Sequence, residues 1–196
     1  GLQEHNDQIR GEGNFAAVIA FLDLLKKKRI YSMVMLTLTQ ANMPQVLPLA
    51  ELLRGRVDLF TFNRLSMVGE GANLESPRPA DYRLFVAEYL QAQRANPTMA
   101  LKDSLLNIER ERQQLGLFGG CTGFGCGAAF NFVSLLPDGQ VHACRKFPSL
   151  IGDISQQRLG DIYYSSSARS YRCGCKECTG CRIRPTCGGC LAVAHG

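Results

Sequence analysis

Cys178-Thr179-Gly180-Cys181-Arg182-Ile183-Arg184-Pro185-Thr186-Cys187-Gly188-Gly189-Cys190 places two Cys-x2-Cys pairs within thirteen residues. Two-residue spacing lets both thiolates of a pair turn toward one centre, because the backbone between them forms a tight loop whose amides can donate to sulfur. Arg184-Pro185 and Gly188-Gly189 supply the turns that such loops need. Upstream stand Cys121, Cys126 and Cys144, which together with the two pairs make a much stronger metal signal than a lone pair. Cys173 and Cys175 are one residue apart, a poor separation for joint ligation, and read as free thiols or a spare ligand.

All nine cysteines lie between Cys121 and Cys190, and the first 120 residues hold none. A disulfide-stapled secreted protein needs an export signal and usually an even cysteine count. The N-terminal Gly1-Leu2-Gln3-Glu4-His5-Asn6-Asp7 has neither the basic start nor the apolar core of such a signal. Metal ligation in a reducing cytoplasm is therefore the expected state. Tetrahedral zinc and iron-sulfur centres fit the same thiolates, and spacing alone leaves both open.

Outward from the cysteines, Phe130 to Leu136 and Gln140 to Cys144 are β-rich runs flanking Pro137-Asp138-Gly139, which predicts a β-hairpin. A short helix is expected over 159–167, and loop elsewhere. Composition changes abruptly near Gly116, so the boundary falls between residues 112 and 118, giving domains at 1–115 and 116–196.

In the first domain, Phe15, Val18, Ile19, Leu22 and Leu25 recur at helical spacing behind Asn14, a predicted cap. The run Tyr31 to Leu38 predicts a strand buried on both faces, followed by a helix from Asn42 to Leu53 and a second strand from Val57 to Phe62. Helix, strand, helix, strand is the rhythm of an α/β fold with a parallel sheet. The segment Asn63 to Pro79 reads as a long loop at the strand's C-terminal end, the edge where α/β folds bind ligands. Further helices are expected over 80–94 and 102–115.

The 196 residues carry a formal charge of +5, and Lys26-Lys27-Lys28-Arg29 is the one dense basic run. That run closes a predicted helix, where positive charge complements the macrodipole, so neither nucleic acid nor membrane is expected as a partner.

The series Cys126-x12-Gly139-x4-Cys144 followed by Cys178-x2-Cys181-x5-Cys187-x2-Cys190 closely resembles the SPASM domain of radical S-adenosylmethionine enzymes. That family usually has three residues before the last of these cysteines, where this chain has two, and one more cysteine downstream. The resemblance implies that Cys121, Cys126, Cys144 and Cys190 bind one auxiliary four-iron four-sulfur cluster. It implies that Cys178, Cys181 and Cys187 hold most of a second, completed by a missing residue, by Cys173 or Cys175, or by an exogenous ligand. Arg145, Lys146, Arg182 and Arg184 are then candidate charge compensators. Residues Gly1 to Gly11, with Gly13-Asn14-Phe15, look like the segment after the fourth strand of the family's partial (β/α)6 barrel, with Asn6 where the family has His. Arg10 matches the arginine that reaches the carboxylate of S-adenosylmethionine, and the strands at 32–38 and 57–62 would be the fifth and sixth of that barrel.

By the same resemblance the chain is expected to be the C-terminal part of a peptide-modifying maturase. The Cys-x3-Cys-x2-Cys that binds the radical-generating cluster is not in it. The complete enzyme would cleave S-adenosylmethionine to a 5′-deoxyadenosyl radical that takes hydrogen from a ribosomally made peptide with a leader, using a reductant such as ferredoxin or flavodoxin. Cys121 to Cys126 and Cys144 to Pro148 look like maturases proposed for selenocysteine-containing or thiazole-type peptides. The rivals are a sulfatase maturase, a zinc-bearing binding module and a disulfide-rich structural domain.

Overall fold

The computed structural model describes residues 1–120 and 122–195. The chain divides into two compact units, Gly1–Leu65 with Glu75–Lys102, and Ser66–Leu74 with the chain from Asp103 onward.

The first unit opens with helices α1 (Gln3–Arg10) and α2 (Asn14–Lys27). Asn14 is the first residue of α2 and does not cap it; Gly13, with a left-handed backbone, holds the cap position. The free amides are taken instead by Asp7 of α1, whose carboxylate accepts from the Gly13 N–H at 3.1 Å and the Phe15 N–H at 2.8 Å. Those bonds, the Phe15 amide first, hold the Asp7 carboxyl below the usual carboxylate range. Of the expected apolar stripe on α2, Leu22 is buried and Phe15, Ile19 and Leu25 are half-buried, while Val18 faces solvent.

Strands β1 (Met33–Leu38) and β2 (Leu59–Arg64) pair in parallel, with Met33 opposite Leu59 and Leu38 opposite Arg64. Between them runs α3 (Val46–Leu53), preceded by a tight turn at Met43–Gln45 that accommodates Pro44. The predicted cap Asn42 again serves another purpose: it accepts from the Thr39 N–H at 2.9 Å and donates to the Thr37 carbonyl at 2.9 Å, closing the turn after β1. Helix α4 (Pro79–Ala95) returns the chain to Met99, which bridges Phe60 in parallel on the other side of β2. A parallel β-α-β pair is what the alternating pattern predicts; the short parallel neighbour at Met99 was not expected.

Contrary to expectation, β1 is buried on one face only. Leu36 and Leu38 are covered, whereas Met33 is 54% and Met35 39% exposed. Alternation sends successive side chains to opposite faces, and only one of those faces is packed within this unit. The core of the unit joins Phe62, Phe85 and Tyr89, whose ring centroids lie 5.0 to 5.8 Å apart. Tilted and edge-on pairs of this kind add about 1 kcal/mol each beyond the area they bury. The Tyr89 hydroxyl donates to the Ala100 carbonyl at 2.8 Å, and burial pushes its phenol well above the ordinary range.

The second unit takes in the 3-10 turn Gly69–Asn73 and helix α5 (Leu106–Arg112), and further along the chain forms a three-stranded antiparallel sheet of β3 (Ser134–Leu135), β4 (Gln140–His142) and β5 (Leu150–Asp153) in that order. The predicted hairpin is present. Four residues, Leu136 to Gly139, connect its strands: the Gly139 N–H donates to the Leu136 carbonyl at 3.0 Å, and Gly139 has φ +90°, a conformation that suits glycine. Strand β5 lies where loop was expected, because its pairing partner β4 is supplied by tertiary structure. The helix expected over 159–167 is two helices, α6 (Leu159–Tyr164) and α7 (Ser166–Cys173). Ser165 between them is extended, and its side chain accepts from the Ala168 N–H at 3.1 Å, ending one helix and capping the next. A last short helix, α8 (Leu191–Ala194), follows Cys190. No described helix is long and apolar enough to cross a membrane.

Candidate metal centre

The core of the second unit is small and rich in alanine: Ala128, Ala129, Val141, Ala143, Phe147, Ile151, Ile162, Ala168 and Ala192 surround the buried Cys144. Cys126 and Cys190, both half-buried, pack against that same cluster. Three of the four cysteines expected to share a first cluster thus converge from a loop, a strand end and a helix start. The fourth, Cys121, lies outside the described residues.

Each thiol has a local reason for its position. Cys144 follows β4, and its backbone is tied to Ser149: the Cys144 N–H donates to the Ser149 hydroxyl at 3.1 Å, and the hydroxyl lies 3.0 Å from the carbonyls of Cys144 and Phe147. Burial pushes the Cys144 thiol up; the backbone amide of Lys146 opposes that, and the neighbouring Cys126 and Cys190 thiolates add to it. Of the expected compensators, Lys146 acts on Cys144 through its amide and ammonium. Among the others, Arg182 pairs with Glu111 and Arg184 donates to the Cys173 carbonyl, while Arg145 is exposed.

Cys126 is held by close backbone approach. Gly125 has φ +75°, donates to the Gly119 carbonyl at 3.0 Å, and would set a Cβ 3.1 Å from the Cys187 carbonyl oxygen. Glycine at 125 lets this backbone lie that near Cys187 without strain or crowding. A residue that pattern reading missed fastens the 119–126 loop to the 186–190 loop. Asn107 on α5, fully buried, donates to the Phe118 carbonyl at 2.8 Å and the Thr186 carbonyl at 3.2 Å, and accepts from the Phe118 N–H at 3.1 Å. An Asn between Leu106 and Ile108 on the apolar side of an amphipathic stretch was its only signal.

The second set is arranged differently. Cys187 is buried, Cys178 half-buried and Cys181 exposed, and none of the three belongs to the alanine-rich core. The Cys178 N–H donates to the Cys175 carbonyl at 3.2 Å, the Cys181 N–H to the Cys178 carbonyl at 3.1 Å, and the Arg184 N–H to the Cys181 carbonyl at 3.1 Å. Cys175 donates its thiol hydrogen to Glu177, which raises the thiol and lowers the carboxyl. Cys173 is exposed at the end of α7. Arg10, the expected S-adenosylmethionine ligand, is exposed in the last turn of α1 in the first unit.

The eight described cysteines are free thiols. Among the described residues no group of three His, Cys, Asp or Glu is disposed to hold a single metal ion. A tetrahedral zinc with Zn–S near 2.3 Å draws its sulfurs to about 3.8 Å of one another. An iron-sulfur cluster instead spreads its thiolates over separate irons; an all-cysteine donor set suits either centre.

Residues 126–190 match the family model of SPASM, an iron-sulfur cluster-binding domain. The match begins on Cys126 and ends on Cys190, covering about a third of the chain. No curated protein matches the chain.

Proposed function

We propose that residues 116–196 are an auxiliary iron-sulfur domain of a radical S-adenosylmethionine enzyme, and that residues 1–115 are the C-terminal half of its partial (β/α)6 barrel. The observation that carries this reading is the convergence of Cys126, Cys144 and Cys190 on one core, inside the segment that matches an iron-sulfur cluster-binding family. The parallel alternation of β1, α3, β2 and α4, with Met99 bridging beyond β2, supports the barrel half.

On this reading Cys121, Cys126, Cys144 and Cys190 hold one four-iron cluster, and Cys178, Cys181 and Cys187 hold most of a second. Such clusters, when bound, supply one-electron transfer or an open iron for substrate. The chain's own residues set the conditions. Val141, Ala143 and Ala128 keep water from the first site, the Lys146 amide and ammonium offset thiolate charge at Cys144, and Ser149 and Asn107 hold the loops in register. In the first unit Arg10 would present a guanidinium to the amino-acid carboxylate of S-adenosylmethionine, a pairing that suits its planar fork. A ribosomally made peptide with a leader is the proposed substrate, a low-potential ferredoxin or flavodoxin the proposed reductant, and the cytoplasm the proposed compartment.

The test is anaerobic purification and reconstitution with iron and sulfide, followed by metal and sulfide analysis and visible absorption. A brown protein with bound iron and acid-labile sulfide is expected. A colourless protein that retains zinc and no sulfide overturns the reading in favour of a zinc-bearing interaction module.

A further inference from the structure

We infer that Asn63 and Lys102 form a carboxylate-binding pair on the open face of the parallel sheet, and that the carboxylate they take is an acidic side chain of the peptide substrate. The pair itself is read from the first unit; naming the substrate as the source of the carboxylate rests on the barrel reading above.

Three neighbouring parallel segments each send one side chain to that face. Met35 comes from β1, Asn63 from β2, and Lys102 from just beyond Met99, which bridges Phe60 on the far side of β2. The Asn63 carboxamide donates to the Met35 sulfur at 2.7 Å, and the Lys102 ammonium lies 2.9 Å from the same sulfur. Neighbouring strands stand about 4.8 Å apart, so the lysine side chain spans the width of β2 to reach β1. Two donors on different segments thus meet at one point of the sheet.

The chemistry of that point identifies the ligand. A thioether is a weak acceptor, whereas a carboxamide and an ammonium are strong donors. An oxygen anion placed there accepts from both, and hydrogen bonds assisted by charge are about twice as strong as neutral ones. One ammonium beside one neutral amide offsets a single negative charge, which suits a carboxylate better than a phosphate. The adjoining surface is apolar and adaptable, because Met33 and Met35 are exposed and thioether side chains pack against varied shapes. Asn63 is the fifth of the six residues of β2, near the carboxyl end of the strand, the edge at which parallel α/β sheets take ligands. The carboxylate of S-adenosylmethionine has its own proposed partner in Arg10 on α1, which leaves this pair to the peptide.

The test is methyl NMR of the chain labelled with carbon-13 at its methionine methyls, the Met35 signal being identified by its loss in Met35→Leu. The probes are N-acetyl-glutamate methylamide, its glutamine counterpart without the charge, and S-adenosylhomocysteine. The glutamate probe should move the Met35 signal saturably and the glutamine probe should not. Lys102→Gln and Asn63→Ala should each weaken that binding about tenfold, and Lys102→Arg should retain it. The signals of the buried Met43 and Met99 should keep the parent's positions in every variant, which shows that the unit stays folded. Equal shifts with the glutamine probe, or parent-like affinity in Lys102→Gln, overturn the pair. No shift with the glutamate probe overturns the inference; a Lys102-dependent shift with S-adenosylhomocysteine in its place gives the pair to the cofactor. Iron content is measured on the same samples, and a parent chain that takes up no iron sinks the cluster reading without altering the titration, which reports on the first unit.

Discussion

Replacing Gly125 by alanine should loosen the loop that carries Cys126, and the structure indicates by how much. Gly125 has φ +75°, where an L-residue is strained, and its new Cβ would lie 3.1 Å from the Cys187 oxygen and 3.2 Å from the Cys187 carbonyl carbon. Strain at a left-handed position costs about 1 kcal/mol. Crowding adds to it, because the atoms met are backbone and cannot swing aside; forcing a methyl into such a contact costs about 1–2 kcal/mol more. Gly123 provides the control: it has φ +90° but open space around its Cβ position, so Gly123→Ala carries strain without crowding. In urea unfolding of the apo chain under reducing conditions, Gly125→Ala should lower stability by about 2–3 kcal/mol and Gly123→Ala by about 1. Iron uptake should fall in Gly125→Ala, since Cys126 and Cys190 would no longer face Cys144 at the same spacing. If Gly125→Ala unfolds no earlier than Gly123→Ala, the close approach of the two cysteine loops is wrong, and with it the account of how the first site is assembled.

Asn107→Ala should destabilise by about 2–3 kcal/mol in the same assay, because it strands two carbonyls and one amide of the cysteine loops; an unchanged midpoint would show that the clamp does not form. Asp7 gives a pH dependence of definite sign. Its folded-state carboxyl is held below the ordinary value, so its contribution is complete above the unfolded value of about pH 4 and is lost as pH falls through the depressed folded value. Thermal melts of Asp7→Ala should therefore lie below the parent at neutral pH and merge with it in strong acid, and curves that stay parallel to pH 2 would refute the capping role.

Much of the molecule was legible because its signals are local. Periodicity placed α2, α4 and the β1–β2 alternation, and Pro137-Asp138-Gly139 placed the hairpin, since turn chemistry acts within a few residues. Cysteine spacing marked the metal-binding region for the same reason. Capping was misjudged at Asn14 and Asn42 because each side chain found a better partner than its own helix: Asn14 accepts from Asn6, and Asn42 closes the turn after β1. The single helix expected over 159–167 failed at Ser165, whose hydroxyl is worth more as a cap than in mid-helix.

By itself, then, the order of residues indicated most of the segments that twist into helices or extend, and gathered every cysteine between Cys121 and Cys190. Only the folded chain decided which thiols meet. Cys126, Cys144 and Cys190 lie far apart along the chain, yet all three belong to or pack against one core, beside loops fastened by Asn107, Ser149 and the glycine-permitted contact at Gly125. Spacing specifies neighbours a few residues apart; convergence over dozens of residues depends on buried hydrogen bonds and close packing, which no local pattern encodes.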